Sequence, residues 1–554
     1  MLAEYVLGID LGTTNSCMAI VRPTGGGDFR PEVLYNAEGL LTTPSVVALT
    51  AQGDWLVGQE AKGQAILNPK GTIFSAKRFI GRSFSEPTVV DDAQRMPYRL
   101  FTGPDESVKV ELAGPGGRRE VLEPEGVSAK VLKKLKADAE ATLGVPIKRA
   151  VITVPAYFNP NQRTATLNAA QIAGFGPEVR LISEPTAAAL AYGQGSTKEA
   201  ETLLVFDLGG GTLDVTIVRR KGNHYMSRTI NGDTHLGGDD FDRAVMEWLM
   251  DEFKRNTGIS LEGNPEAVQR VRDAAEAAKC ELSGARQDTT VNLPFLAVGP
   301  DGQPKNLTAK LTRKRLDEMT RDLVERCIYC CKKALTDAAM TTDQIDTVLL
   351  VGGQTRMPAV REAVETFFGK SPSKAVNPDQ AVALGAAILG HSLLLGAEPP
   401  EDETRALVPT ADGQAVVGGL MIAEVSSQPL GIRLVTEAFS EIVPKGVTLP
   451  ATRTRDNYTT DRDGQTQVDI EVFQGENPVA VKNTRIGMVS LVNLPPRKAG
   501  EPFIAVTFAV RLDSTIHVKA LEVHSKREVE AVMRYAGGLT GADLKRAIER
   551  ERVS

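Results

Sequence analysis

Cysteine, tryptophan and histidine are scarce in this chain, with 5, 2 and 5 copies among 554 residues. So few cysteines cannot staple a chain of this length, which excludes a disulfide-framed secreted scaffold. Three of them, Cys327, Cys330 and Cys331, cluster in DLVERCIYCCKKAL. No histidine or second pair stands nearby and a structural zinc needs four ligands, so the cluster reads as part of an amphipathic helix in a reducing, cytoplasmic setting. A long hydrophobic run is also lacking. The longest uncharged stretch, AVALGAAILGHSLLLGA at 381–397, falls short of the roughly twenty residues that a bilayer requires. It is expected as a buried helix, with no membrane partner. A basic leader is missing too: MLAEYVLGID places an acid where a signal peptide carries positive charge, so no targeting segment is expected. Finally there is no basic excess. The net charge of -6 and pI near 5.7 argue against a nucleic-acid partner, which needs a clustered basic surface.

Apolar material is ample. With 42% hydrophobic and 24% charged residues the chain carries no signature of disorder, and its length suggests roughly three or four domains. Residues 1–392 alternate short strand patterns with helical ones, the rhythm of α/β layers. KRAVITVPA (148–156) and DTVLLVGG (346–353) read as buried strands, whereas EGVSAKVLKKLKADAEATLG and RKRLDEMTRDLVERCIYCCKKAL carry a helical period. Residues 393–424 turn rich in proline, glycine and acid, a linker with an insert. Residues 425–536 are expected as an all-β sandwich. There Ile504, Val506, Phe508, Val510 and Leu512 alternate at period two, and QVDIEVF (467–473) and STIHVKAL (514–521) do likewise. Residues 537–554 close the chain with a short helix, in which Thr540 and Asp543 resemble a capping box and Leu544 and Ile548 form one stripe.

One unusual turn occurs twice. GIDLGTTNSCMAIV (8–21) and VFDLGGGTLDVTIV (205–218) align Asp10 with Asp207, Gly12 with Gly209 and Ile20 with Ile217. Each reads as strand, tight turn, strand. Glycine lets backbone amides approach an anion closely, and the hydroxyls of Thr13, Thr14 and Thr212 can donate to phosphate oxygens. A carboxylate beside phosphate is repulsive unless a cation stands between them. Mg2+ keeps most of its waters and prefers oxygen sites, so Asp10 and Asp207 are expected to hold it through water. Either turn alone would pass for an ordinary glycine hairpin. The pair in register points to two related lobes that clamp a polyphosphate. Gly352 and Gly353 in LLVGGQTRMP, and Gly237 and Gly238 in GDTHLGGDDFD, are two further anion candidates at helix starts.

Together GIDLGTTNS, KRFIGR, VITVPAYFN, EPTAAALAYG, DLGGGTLDV, GDTHLGG and NPDQAVALGAA resemble, in that order, the ATPase domain of the heat-shock protein 70 (DnaK-like) chaperones. The resemblance implies a two-lobed actin-like α/β domain that binds ATP or ADP with Mg2+, and admits K+. It assigns β- and γ-phosphate contacts to Thr13, Thr14 and Asn15 from one lobe, and to Gly209, Gly210, Gly211 and Thr212 from the other. Asp10, Asp207 and Glu184 would set the hydrated Mg2+. Lys77 would stand beside the γ-phosphate and help orient water, with Asp214 a second candidate for steering it. Such positioning and electrostatics carry most of phosphoryl transfer. Glu276, Lys279 and Ser283 share one helix face. By resemblance that face is the adenosine wall, completed by Gly353, Arg356 and Asp379. Pro155 and Arg163 match residues that relay nucleotide state, and Arg180 stands where the family meets its J-domain partners.

The carboxy-terminal half resembles the family's substrate-binding sandwich, with a peptide cleft lined by Ile432, Leu434, Val435, Tyr458, Val468 and Ile470. Three features depart from the pattern. The usual leucine run beside an acid is missing, and GGLMIAEV (418–425) is its nearest equivalent. Asp461, Arg462 and Asp463 occupy a loop that is smaller or apolar in relatives. One short helix stands where a long lid is usual, so bound peptide is expected to leave faster. Leu167 also replaces an expected lysine. The expectation is therefore a short-lid, monomeric, ATP-dependent chaperone for extended apolar segments of unfolded proteins, served by a J-domain protein and a nucleotide-exchange factor. Two other readings compete: an ATP-gated regulator of a single client, and a metabolite kinase of the same superfamily, against which the sandwich argues.

Overall fold

The computed structural model describes residues 4–25, 28–395, 408–409, 415–417, 419–511, 515–533, 539 and 541–553. The expected Thr540 cap and the Leu512 end of the alternating strand lie outside these residues. The repeated turn is a repeated topology. In the first lobe, strands Val6–Asp10 and Asn15–Gly25 form an antiparallel hairpin, and Arg149–Val154 adds in parallel beside the first strand. The second lobe builds the same unit from Ala200–Leu208, Leu213–Lys221 and the parallel strand Thr347–Val351. Each central strand is a nearly continuous apolar run because helices cover both faces of its sheet.

Between the lobes lies the small-residue helix Ala381–Leu395. Gly385 sits so close to the helix Glu184–Gly193 that a Cβ there would meet the Ala187 carbonyl oxygen at 1.7 Å. Small side chains thus let two helices and the first strand meet at backbone distance. Among the described residues no helix is long and apolar enough to cross a membrane. Cys327, Cys330 and Cys331 are buried in the core of the second lobe and form no disulfide. Burial pushes the Cys330 thiol up to about 11, so the cluster is packing, as its helical period suggested. That helical stretch is broken at Thr320 into Arg313–Met319 and Arg321–Asp337.

The sandwich pairs two four-stranded antiparallel sheets. Ile504, Val506, Phe508 and Val510 point inward, together with Ile516, Val518 and Ala520 of the neighbouring strand. The departure at the linker is smaller than the sequence suggested. Leu420–Ala423 is a strand that pairs in parallel with His224–Met226 and continues the sheet of the second lobe. Leu420 is buried there. Ala415–Val417 of the insert pairs antiparallel on its other side, across a turn at Gly419 with φ of 85°.

The C-terminal helix Gly541–Val553 lies on the first lobe rather than on the sandwich. It packs on the helix Pro160–Ile172, which carries Leu167. Leu167, Leu544, Ala547 and Ile548 all join the apolar cluster of that lobe. Leu167 thereby gains a physical reason: a lysine there would be covered by an apolar helix face. Glu551 fixes the far end of the helix, accepting hydrogen bonds from Lys130 at 2.8 Å and Lys133 at 3.2 Å.

Candidate nucleotide site

The two turns face each other. A Cβ on Gly210 would stand 1.9 Å from Thr14 Oγ1, and one on Gly211 would stand 3.0 Å from Thr13 Oγ1. Behind them Gly238 N donates to Gly209 O at 2.9 Å, and Asp239 N donates to Gly210 O at 2.9 Å. The start of the helix Gly238–Thr257 is thereby pinned to the second turn. Between the turns opens a cleft of about 360 Å³. Gly12, Thr13, Thr14 and Asn15 line it from one lobe and Gly209, Gly210, Thr212, Gly352 and Gly353 from the other.

At its floor stand Asp10, Asp207, Glu184 and Lys77. Lys77 Nζ donates to Glu184 Oε1 and to Leu11 O, each at 2.6 Å. One lysine does not balance the buried carboxylates. Burial, then the charge of Glu184, pushes the Asp10 carboxyl up to about 7. Burial, with Glu184, Asp214 and Asp10 adding to it, raises Asp207 well above its ordinary value. Such an acid cluster is what a divalent cation relieves. The oxygen donors of Asp10, Asp207 and Glu184 are of the kind a hard cation such as Mg2+ takes, though among the described residues no group of three His, Cys, Asp or Glu is arranged to hold a metal ion directly.

The outer wall is a helix face. Glu276, Lys279 and Ser283 all line the cleft, as do Arg356 and Asp379 opposite. Lys279 Nζ pairs with Asp242 at 2.9 Å and donates to Gly238 O at 3.2 Å, which ties this wall to the phosphate turns. Arg356 Nε donates to Asp379 at 3.1 Å. Lys62 reaches across the cleft to Glu276 at 2.9 Å and bridges the lobes above the opening.

The geometry corrects several sequence-based expectations. Gly211 and Gly237 do not line the cleft: a Cβ on Gly237 would lie 2.4 Å from Gly211 N, so the two glycines pack against each other as support. Asp214 is 1% exposed and lies behind the cleft, opposite Asp207 in the hairpin register. Burial and then Glu184 push it up to about 7, with Lys77 opposing the rise. In the sandwich, Ile432 and Ile470 are 5% and 3% exposed and belong to its core. The strand pleat turns them inward, so neither is presented at the surface. Tyr458 and Val468 pack at the core's edge, and Val435, in the turn after Leu430–Arg433 that also holds the half-buried Leu434, is 75% exposed.

Of the relay candidates, Pro155 adjoins the junction between domains. Ala156, next to Pro155, packs with Val425 of the sandwich and Ile230 of the second lobe. Arg163 is buried, its Nε donating to Phe158 O at 3.3 Å. Arg180 opens the strand Arg180–Ser183 and donates to Val179 O at 3.3 Å. Sequence reasoning missed Glu424. It is buried at the end of the linker strand and accepts hydrogen bonds from Ser183 Oγ and from Thr186 Oγ1, the latter at 2.9 Å. Its position directly after LMIA, an apolar run before an acid, was the available signal. Asp239, Asp242 and Cys280 also line the cleft unannounced.

The comparisons with known proteins agree with this architecture over its whole length. A family model described as Hsp70 protein matches residues 6–553. Heat shock protein hsp-6 of Caenorhabditis elegans is 42% identical over 545 residues, covering 98% of this chain and 78% of that protein. The match spans the two-lobed domain, the linker strand, the sandwich and the final helix. The chain belongs to the Hsp70 protein family and is an ATP-hydrolysing molecular chaperone.

Proposed function

We propose that ATP binds with its phosphates between the two turns, its base against the helix face of Glu276, Lys279 and Ser283, and that Lys77 acts in hydrolysis. The observation that carries this reading is the opposition of Gly210 and Thr14 across the cleft above a surplus of buried acid. Asp10, Asp207 and Glu184 would hold Mg2+ through its waters, where it neutralises developing phosphate charge. Lys77 is held by Glu184 and Leu11 O beside the γ-phosphate position and orients the attacking water. Asn15, Thr13, Thr14 and Thr212 donate to phosphate oxygens. Gly211 and Gly237 shape the turns from behind.

Coupling to the sandwich follows a short physical route. The segment Ala156–Tyr157 lies near Asp214, and Ala156 packs on Val425 just after the linker strand. On the other lobe Lys445 bridges Asp337 at 2.8 Å and Glu476 at 2.9 Å, and Lys333 adds to Glu476 at 2.7 Å. Nucleotide state and sandwich position are thereby two ends of one equilibrium. The client is an extended apolar segment of an unfolded protein, gripped at Leu434, Val435, Tyr458 and Val468 over a floor of Ile432 and Ile470. A J-domain protein meeting Arg180 and a nucleotide-exchange factor acting on the cleft are the partners of the cycle. The protein works as a monomer in the cytoplasm, a setting that its free thiols fit. Steady-state ATPase with and without an extended apolar peptide tests this reading. Stimulation several-fold, reversed by Val435→Asp, is expected; a rate indifferent to a panel of peptides overturns it.

A further inference from the structure

Next to Lys77 in the short helix Ala76–Arg78 stands an arginine to which the hydrolysis reading gives no role. The Arg78 side chain is 4% exposed and reaches the other lobe. Its NH2 donates to Asp240 Oδ2 at 2.8 Å, 162 positions away in the chain. Its Nε lies 3.5 Å from Asp239, and its NH1 lies 3.7 Å from Asp92 and 3.4 Å from His235 Nε2. Burial by itself would lower the pKa of this guanidinium, yet the charges of Asp239, Asp240 and Asp92 raise it. The contacts alternate between lobes: Arg78 and Asp92 belong to the first, His235, Asp239 and Asp240 to the second. Two hydroxyl contacts run beside them, Ser75 Oγ to Asp239 at 2.7 Å and Arg82 NH2 to Thr234 Oγ1 at 3.1 Å.

The second-lobe end of this clasp belongs to the phosphate site. Asp240 Oδ2 also accepts from Gly237 N at 2.9 Å and so caps the helix whose first residue, Gly238, receives Lys279 of the adenosine wall. A Cβ on Gly211 would lie 3.2 Å from Arg78 Nε, so the guanidinium backs directly onto the second phosphate turn. We propose that Arg78 is a positioning residue for ATP hydrolysis: by pairing with Asp240 it locks the second turn onto the segment that carries Lys77, so cleft closure and alignment of Lys77 are one event. This rests on the hydrolysis role read for Lys77.

The physics of buried ion pairs explains why such a clasp would serve closure rather than stability. Desolvation offsets most of the attraction in the closed state, and water solvates both partners when the lobes part, so the net gain is small. Removing one partner is different: Asp92, Asp239 and Asp240 then lose the buried cation they share, and the more exposed Arg243, 3.2 Å from Asp240, compensates only in part. The closed form alone is penalised. A displacement of the order of 1 Å at the reacting groups can cost roughly 10²-fold in rate.

The test compares Arg78→Met and Arg78→Lys with wild type and with Lys77→Met in the full chain. It measures kcat, KM and the release rate of labelled ADP. Arg78→Met is expected to lower kcat by roughly 10²-fold and to speed ADP release, with KM changed far less. Arg78→Lys, which keeps the charge but loses the fork geometry, is expected to recover part of both effects. Should Arg78→Met fail to fold, Arg78→Lys decides: slower turnover with faster release supports the clasp, and wild-type values for both overturn it. Lys77→Met separates the two claims. If it still turns over normally the reading of Lys77 fails; if it is inactive while both Arg78 variants match wild type, the clasp alone fails.

Discussion

The nucleotide cleft and the peptide groove are built by opposite means. The cleft is made of backbone turns and buried charge, with Gly12, Gly210 and Gly352 placed where any side chain would collide. The groove we propose would be made of alternating apolar residues on strands, where one pleat decides whether a side chain faces outward or into the core. Chemistry of the first kind tolerates almost no substitution, whereas the second tolerates many swaps of similar volume. Sensitivity to mutation therefore divides sharply along the chain.

Three experiments press on that contrast. The largest effect is expected from Gly210→Val, whose Cβ would overlap Thr14 Oγ1. The turns must part, and calorimetry is expected to show ATP affinity reduced by roughly 10²-fold or more, since several amide and hydroxyl donors are misplaced together. The matching change in the groove, Val468→Ile, is expected to leave peptide affinity within a few-fold. If the two substitutions cost the same, the contrast is wrong.

The second experiment concerns pH. Asp10 and Asp214 are raised from 3.8 to about 7 in the folded protein. Between those values the native state holds protons that the unfolded chain has released, so without nucleotide and divalent cation stability falls as pH rises through this window and levels off above it. Thermal unfolding at a series of pH values is expected to show that decline, and Asp10→Asn is expected to flatten part of it. Adding Mg2+ with ATP is expected to stabilise more at pH 8 than at pH 5. A pH-independent nucleotide-free protein contradicts the charge surplus.

The smallest effect sharpens the link between the two regions. Glu424→Ala removes the carboxylate that the buried Ser183 and Thr186 hydroxyls share and leaves them only their bond to each other, a loss on the order of 1–3 kcal/mol confined to the docked linker. Proteolysis at the linker is expected to quicken and peptide stimulation of the ATPase to weaken, while ATP affinity changes little.

The repeated turn was legible because its chemistry is local: acid, glycine and threonine fall within a few residues of one another, and the register of the repeat survives in the topology. That Glu276, Lys279 and Ser283 line the cleft together was legible through their helical spacing. What escaped was decided by distant packing. Asp214 carries the same local signature as Asp207 and shares its face of the hairpin, yet it is buried and does not line the cleft. Ile432 and Ile470 alternate as a groove wall would, yet face the core. Arg78 gave no signal of its own in the sequence, and only the approach of Asp240 from the other lobe reveals its pairing. Leu167 made sense once the C-terminal helix was seen lying on its neighbours.

Equilibrium binding of ATP with and without Mg2+ tests the central claim most directly, because a cleft with surplus buried acid cannot accept a bare triphosphate. Affinity is expected to fall by at least an order of magnitude when the cation is chelated, and Asp10→Asn with Asp207→Asn is expected to shrink that dependence. Equal affinity in both conditions, or no ATP binding at all, would contradict the account.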